Sequence, residues 1–164
     1  MGSCRIPRPK DPAAAARAEV IELLFACVER LRSHFEGAAA AHGLTPPQAK
    51  VMLMLGGEVP MRAAAEGLCC DPSNITGVVD RLEERGLLVR TEAPGDRRVK
   101  LLRPTPAGRR MREAFETALY RDVPGMKGLS RAQVERLRDA LAAMSGAETP
   151  AERQASRKPV GGAA

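Results

Sequence analysis

The sequence predicts a mainly α-helical protein with one small β-hairpin. Apolar residues recur at helical spacing through the middle of the chain, helix-capping residues precede most of these segments, and one pair of short apolar runs flanks a Pro-Gly turn. At 164 residues the chain can bury the core of one ordinary domain. We expect that domain at about 13–145, between disordered segments at 1–12 and 146–164, which are rich in Pro, Arg and small polar residues.

The first half of the predicted domain contains three helices. The first carries apolar residues at helical spacing from about Ala13 to His42, and Gly43 ends it: Val20, Leu23, Leu24, Cys27, Leu31 and Phe35. Thr45-Pro46-Pro47-Gln48 combines an N-cap, prolines in the first turn and a capping-box partner. The helix that it begins is apolar nearly all round and is expected to be buried. A short helix follows at about Met61 to Leu68.

The helix that begins at Asp71-Pro72 is the most informative segment. One face is an apolar stripe formed by Ile75, Val78, Val79 and Leu82. The opposite face carries Ser73, Asn74, Thr76, Gly77, Asp80 and Arg81. Small polar side chains at a helix N-terminus, where N–H donors are free, allow the helix to approach another molecule closely.

A charged hairpin follows this helix. Strands LLVRT and VKLLR are joined through a Pro94-Gly95 turn, and Asp96, Arg97 and Arg98 lie at the tip. Because Asp96 and Arg98 are two positions apart, an extended segment places them on one face, where the carboxylate is expected to hold the guanidinium. Arg97 then points elsewhere, towards a phosphate. Two capping signals, Thr105-Pro106 and Ser130 to Gln133, begin two further helices.

This order of elements is that of a winged helix-turn-helix, in which the second helix enters the major groove and the hairpin follows the backbone or the minor groove. A net charge of +6 and a pI of about 9.6 fit an anionic partner. Aromatic residues make up 2% of the chain, so the stacking platforms of single-strand binders are missing and a duplex is favoured. From Asp71 to Arg103 seven basic residues face six acidic ones, so binding depends on where these charges lie.

The segments HGLTPPQAKVMLMLGG and DPSNITGVVDRLEERGLLVRTEAPGDRRVKLLRPTPAGRRM resemble the DNA-binding core of the multiple-antibiotic-resistance regulator (MarR) family. The resemblance implies a homodimer, with dimerisation helices at about 13–42 and 105–145 and a winged helix-turn-helix at about 45–104. It also implies repression at pseudo-palindromic operators and release by a small-molecule effector or an oxidant.

By position, the resemblance places Pro72, Ser73, Asn74 and Thr76 in the major groove and makes Asp96 and Arg98 the wing pair, with Arg98 in the minor groove. Together with Gly77, Arg81 and Arg97, these are the predicted DNA-binding residues. The family's effector pocket lies between the dimerisation helices and the winged domain, which suggests three lining residues: His34, Phe35 and Met52.

Other classes of function find little support in the sequence. No histidine lies directly beside a cysteine and no metal-ligand spacing occurs, so an enzyme, a cofactor or a metal site is not expected. Glu22 interrupts the most apolar run and no signal peptide is visible, so a cytoplasmic protein without a membrane span is predicted.

Two alternative functions stay open. One is a winged-helix protein-interaction module, and the other is a redox-sensing regulator of the same fold. Cys27 lies in the apolar stripe of the first helix and is predicted to be a core residue, as is Cys70; a redox pair at Cys69 and Cys70 is the competing interpretation.

Overall fold

The computed structural model describes residues 9–68 and 72–146, and at positions 72–74 and 97 it describes the backbone only. The chain divides into two compact units, one ending at Pro124 and one beginning at Gly125. The first contains α1 (Pro12–Ala41), α2 (Pro46–Met54), β1 (Val59–Pro60), α3 (Met61–Leu68), α4 (Pro72–Glu84), β2 (Leu88–Ala93), β3 (Asp96–Pro104) and α5 (Pro106–Arg121). The second contains α6 (Arg131–Ser145). The predicted mainly α-helical fold class with a small hairpin is therefore confirmed.

Several sequence predictions concern positions outside the described residues. These are the disorder of residues 1–8 and 147–164, the capping role of Asp71, and both interpretations of Cys69 and Cys70.

Helix α1 has a defined beginning and end. The Asp11 carboxylate accepts a hydrogen bond from the Ala14 backbone N–H at 2.9 Å, and Pro12 occupies the first helical position. At the other end Gly43 adopts a φ of +63°, a conformation that favours glycine. The helix therefore runs for 30 residues before the chain turns into α2.

The core of the first unit forms where α2, α4, α5 and the sheet meet. The predicted capping box at Thr45 is present, with the Thr45 N–H donating to Gln48 Oε1 at 3.0 Å. The apolar side of α4 is buried as predicted, because Ile75, Val79 and Leu82 are at most 1% exposed. Fully buried partners come from the other elements: Val51, Met52, Leu55, Leu88, Leu102 and Phe115.

The sheet has three antiparallel strands in the order β1-β3-β2. Strand β1 was not predicted; in it Val59 pairs with Leu102 and Pro60 with Leu101. Two residues, one of them proline, are too few to show the alternation by which a strand is recognised in a sequence. Strand β1 forms one edge of the sheet, where a proline is tolerated.

The tip of the hairpin is irregular. Pro94 and Gly95 make the turn as predicted, and Gly95 has a φ of +88°. Glu92 pairs with Lys100 but Ala93 pairs with Asp96, so residues 97–99 have no regular partners on β2. This three-residue bulge replaces the uniform alternation of an extended strand at the tip.

A group of short backbone contacts joins β2 to α5. Thr105 caps α5, its hydroxyl accepting from the Gly108 N–H at 3.0 Å and donating to the Gly86 carbonyl at 2.6 Å. The Thr105 N–H donates to the Leu87 carbonyl at 3.1 Å. These bonds place the beginning of α5 directly on the beginning of β2.

The second unit begins α6 with the predicted capping box at Ser130. The Ser130 N–H donates to Gln133 Oε1 at 2.8 Å, and the Gln133 N–H donates to Ser130 Oγ at 3.3 Å. Its large apolar side chains are exposed: Leu137, Leu141 and Met144. Across the parts of the chain that are described, no helix combines the length and the apolar character needed to cross a bilayer.

Candidate nucleic-acid interface

Helix α4 presents one face to the core and the other to solvent. Thr76, Gly77 and Arg81 are exposed, whereas the stripe on the opposite side is buried. The helix begins at Pro72 as predicted, and the side chains of residues 72–74 lie outside the described part of the structure. The exposed face offers small groups near the N-terminus and a cation one turn further on.

Arg90 on β2 ties the hairpin to α4. Its guanidinium contacts Glu83 Oε2 at 2.7 Å and Asp80 Oδ1 at 2.5 Å, and its backbone N–H donates to Glu83 Oε1 at 3.0 Å. A longer contact of 3.4 Å reaches the Thr76 carbonyl. Arg90 is not among the residues predicted from the sequence, because the spacing of charges along a chain does not show which strand packs beside which helix.

Several of the acidic residues around this face take part in ion pairs. Arg90 pairs with Asp80 and Glu83, two of the three carboxylates of α4. Lys100 pairs with Glu92 at 2.9 Å across the hairpin, and Arg103 pairs with Glu58. Among the described side chains, neither Arg81 nor Arg98 has an acidic group within 4.0 Å. The near balance of charges seen in the sequence therefore leaves two cations available on the exposed face.

The predicted contact between Asp96 and Arg98 has a different form. Asp96 Oδ1 accepts a hydrogen bond from the Arg98 backbone N–H at 2.9 Å and is not paired with the Arg98 guanidinium. The prediction that the carboxylate holds this guanidinium is wrong, because residues 97–99 bulge out and the two side chains do not share the face of a regular strand. Asp96 instead stabilises the backbone of the tip, and the Arg98 side chain is exposed. The side chain of Arg97 is outside the described part.

Helix α1 exposes a broad apolar surface along its first two-thirds. Its members are between 40% and 67% exposed and will be called the α1 apolar face: Val20, Ile21, Leu23, Phe25, Val28 and Leu31. Cys27 lies among them and is also exposed, so its prediction as a core residue is wrong for the single chain. Helical spacing identifies an apolar stripe but not what covers it.

The three residues suggested for an effector pocket occupy different environments. His34 Nε2 donates to the Leu119 carbonyl at 2.8 Å, and Phe35 packs edge-to-face on Phe115 with ring centroids 5.7 Å apart. Met52 is fully enclosed in the core. Of the three, His34 borders an open groove of about 520 Å³, whose other lining residues are Glu29, Arg30, Ser33 and Pro124. A ligand role for the set stays a prediction.

The described residues include no group of three or more His, Cys, Asp or Glu side chains that could hold a metal ion.

Comparison with known proteins agrees with this geometry. A family model described as the MarR family matches residues 44–100, from the segment before α2 to the hairpin of β2 and β3, which is the wing. The HTH-type transcriptional regulator MhqR of Bacillus subtilis (strain 168) is 32% identical over 80 residues, covering 48% of this chain and 55% of MhqR. The matched part thus spans about half the length of that relative.

Two solved structures extend the match to most of the chain. CouR from Rhodococcus jostii RHA1, bound to p-coumaroyl-CoA, shares 30% identity at a TM-score of 0.67 and covers 80% of this chain and 94% of its own. BpsR from Bordetella bronchiseptica, whose DNA binding is regulated by 6-hydroxynicotinic acid, shares 28% identity at a TM-score of 0.60 and covers 77% of this chain and 98% of its own. The resemblance seen in the helix-turn-helix and wing therefore holds well beyond those motifs, and the chain belongs to the MarR family of transcriptional regulators.

Proposed function

We propose that the protein is a homodimeric repressor that binds a pseudo-palindromic operator in double-stranded DNA and is released by a small-molecule effector. The observation that carries the proposal is the arrangement of α4 and the wing. Arg81 and Arg98 are exposed and have no carboxylate within ion-pair distance among the described side chains, whereas Arg90 pairs with two of the three acidic groups of α4. Arg81 and Arg98 attract phosphates, and the Arg90 contacts hold the helix and the hairpin in a fixed relative position.

The helix and the wing divide the work of recognition. Helix α4 has 13 residues and is about 20 Å long at ~1.5 Å per residue, which suits insertion of its N-terminal end into the major groove. Base edges there are read by the predicted residues Pro72, Ser73, Asn74, Thr76 and Gly77. Arg98 on the bulged tip enters the adjacent minor groove and responds to its width, while Arg81 and Arg97 contact phosphates.

A second copy of the chain covers the α1 apolar face. Six large apolar side chains on one helix, each at least 40% exposed, form more apolar surface than a single solvated helix usually shows. Two-fold pairing buries the same patch on both subunits and places two α4 helices on one side of the dimer. A palindromic site with half-sites one helical turn apart, or a multiple of it, follows from this symmetry.

The effector is proposed to be an aromatic carboxylic acid or its thioester. The ligand of CouR is an aromatic acyl thioester, and that of BpsR is an aromatic acid. In this chain Arg30 lines the groove beside α1, together with His34 and Glu29, so a carboxylate or phosphate can accept hydrogen bonds from the Arg30 guanidinium. An effector bound in this groove contacts α1, the helix that also carries the proposed dimer surface, and can therefore shift the position of the two subunits on DNA.

Selection from random-sequence duplexes tests the proposal. The purified chain is expected to enrich an inverted repeat and to bind it at least ~10³-fold more tightly than unrelated duplex, as specific regulators do. It should not prefer the corresponding single strand. Enrichment of no motif over several rounds, or a preference for single strands, would contradict the proposal and favour the alternative of a protein-interaction module.

A further inference from the structure

We infer that Arg85 is a positioning residue, which fixes the direction of α4 relative to α1 and so sets the half-site spacing that the dimer accepts. The inference rests on the proposed function, since it concerns how two recognition helices are held apart. It is carried by a single long-range hydrogen bond between the end of α4 and the end of α1.

Arg85 lies immediately after α4, and its backbone N–H donates to the Arg81 carbonyl at 3.3 Å. Its guanidinium Nη1 donates to the Gly43 carbonyl at 2.8 Å, across 42 positions of sequence. Nη2 lies 3.7 Å from the point where a β-carbon on Gly43 would be. The guanidinium therefore rests against the turn that follows α1.

The acceptor of this bond is fixed to α1. The Gly43 N–H donates to the Ala40 carbonyl and the Leu44 N–H to the Ala39 carbonyl, both at 2.9 Å, which is the Schellman arrangement of a helix end. Ala39 and Leu44 are both buried in the core. Because these hydrogen bonds hold the turn in a fixed position on α1, the bond from Arg85 to the Gly43 carbonyl also fixes the end of α4 relative to α1.

The two helices that Arg85 joins have separate tasks. Helix α1 carries the α1 apolar face, and α4 carries the exposed face proposed to meet DNA. Each of them packs against α2, and the Arg85 bond links them directly. A change of direction of about 10° moves the far end of a helix ~20 Å long by roughly 3–4 Å, close to the ~3.4 Å rise of one base pair. Loss of this bond should therefore relax the choice of spacing.

A direct phosphate contact is the competing role for this arginine. If Arg85 contacts a phosphate, its substitution should lower the magnitude of the slope of log K against log salt by about 0.9. If Arg85 only positions α4, its substitution should leave this slope unchanged. The salt slope and the spacing preference therefore separate the two roles.

The experiment compares the native chain with Arg85→Gln on the duplex selected by the native chain, and on versions with one base pair added to or removed from its centre. Arg121→Gln is the control, because it removes an equal charge from an exposed position at the end of α5. Stoichiometric titration normalises each sample to its active fraction, so that incomplete folding does not imitate weaker binding.

Native chain and Arg121→Gln should prefer the selected spacing about tenfold or more over either altered spacing. Arg85→Gln should bind the selected duplex about threefold to tenfold more weakly, discriminate among the three spacings by less than about threefold, and keep the native salt slope. Undiminished spacing preference in Arg85→Gln, or a slope lower by about 0.9, would overturn the inference. If the native chain selects no duplex at all, it is the proposed function that fails.

Discussion

The backbone of Gly108 lies so close to Leu87 that a β-carbon at position 108 would come within 1.8 Å of the Leu87 carbonyl oxygen. This carbonyl already accepts the Thr105 N–H, and Gly108 donates its own N–H to the Thr105 hydroxyl. The beginning of α5 and the beginning of β2 are thus fastened backbone to backbone. This close contact fixes the position of the wing relative to helix α5.

Gly108→Ala should therefore be strongly destabilising. The clash is with backbone and not with a movable side chain, so we expect a loss of about 3 kcal/mol or more in the free energy of unfolding, measured with urea. Gly37→Ala is the matched control, since nothing lies within 4 Å of its β-carbon and α1 is continuous there. That change should stabilise by ~0.5–1 kcal/mol. Equal stabilities of the two variants would contradict the close approach.

The Arg90–Glu83 pair should show measurable coupling. The Arg90 side chain is 26% exposed and that of Glu83 36%, and two separate hydrogen bonds join the residues. A double-mutant cycle with Arg90→Gln and Glu83→Gln should give about 1 kcal/mol of coupling in urea unfolding.

The Lys100–Glu92 pair serves as the comparison for that cycle, because both side chains are about half exposed. Its coupling should stay below ~0.5 kcal/mol. Equal coupling in the two pairs would show that Arg90 is an ordinary surface partner and not a link between α4 and the wing.

A charge placed on the α1 apolar face should separate the dimer. Phe25 is 67% exposed in the single chain, and a carboxylate there cannot be buried between two copies without a partner. Phe25→Glu should sediment as a monomer at concentrations where the native chain sediments as a dimer. Glu19→Gln, an exposed change on the same helix, should leave the dimer intact. A native chain that sediments as a monomer would contradict the proposed use of this face.

Substitutions of Thr76 and of Arg98 should change DNA binding in different ways. Thr76→Ala should change base preference by ~1–3 kcal/mol at particular operator positions, as read by a competition assay on single-base variants. Arg98→Ala should weaken operator and unrelated duplex alike and lower the salt slope by up to about 0.9. A uniform loss for Thr76→Ala, or no change of slope for Arg98→Ala, would count against this division of roles.

Much of the fold could be predicted from local chemistry. The capping signals at Thr45, Thr105 and Ser130 each begin a helix, and the stripe on α4 is buried, because caps and amphipathic spacing act within a few residues. The Pro94-Gly95 turn was predictable for the same reason. The exposed face of α4 could also be predicted, because it lies opposite the buried apolar stripe.

The remaining features depend on contacts between distant segments. Strand β1 pairs only because β3 lies beside it, and the bulge after Asp96 arises from a register that no local pattern records. Arg90 and Arg85 act on partners 7 to 42 positions away. The exposure of Cys27 shows a further limit, since a stripe can face a second chain as well as its own core.

Hydroxyl-radical footprinting of the selected operator tests the central claim most directly, because the reagent attacks the minor groove and reports both symmetry and wing contacts. Two protected patches related by a two-fold axis are expected, with centres one helical turn or a multiple of it apart. Arg98→Ala should lose the protection in the minor groove while retaining the two-fold pattern. A single unsymmetrical patch, or a footprint that Arg98→Ala leaves unchanged, would contradict the account.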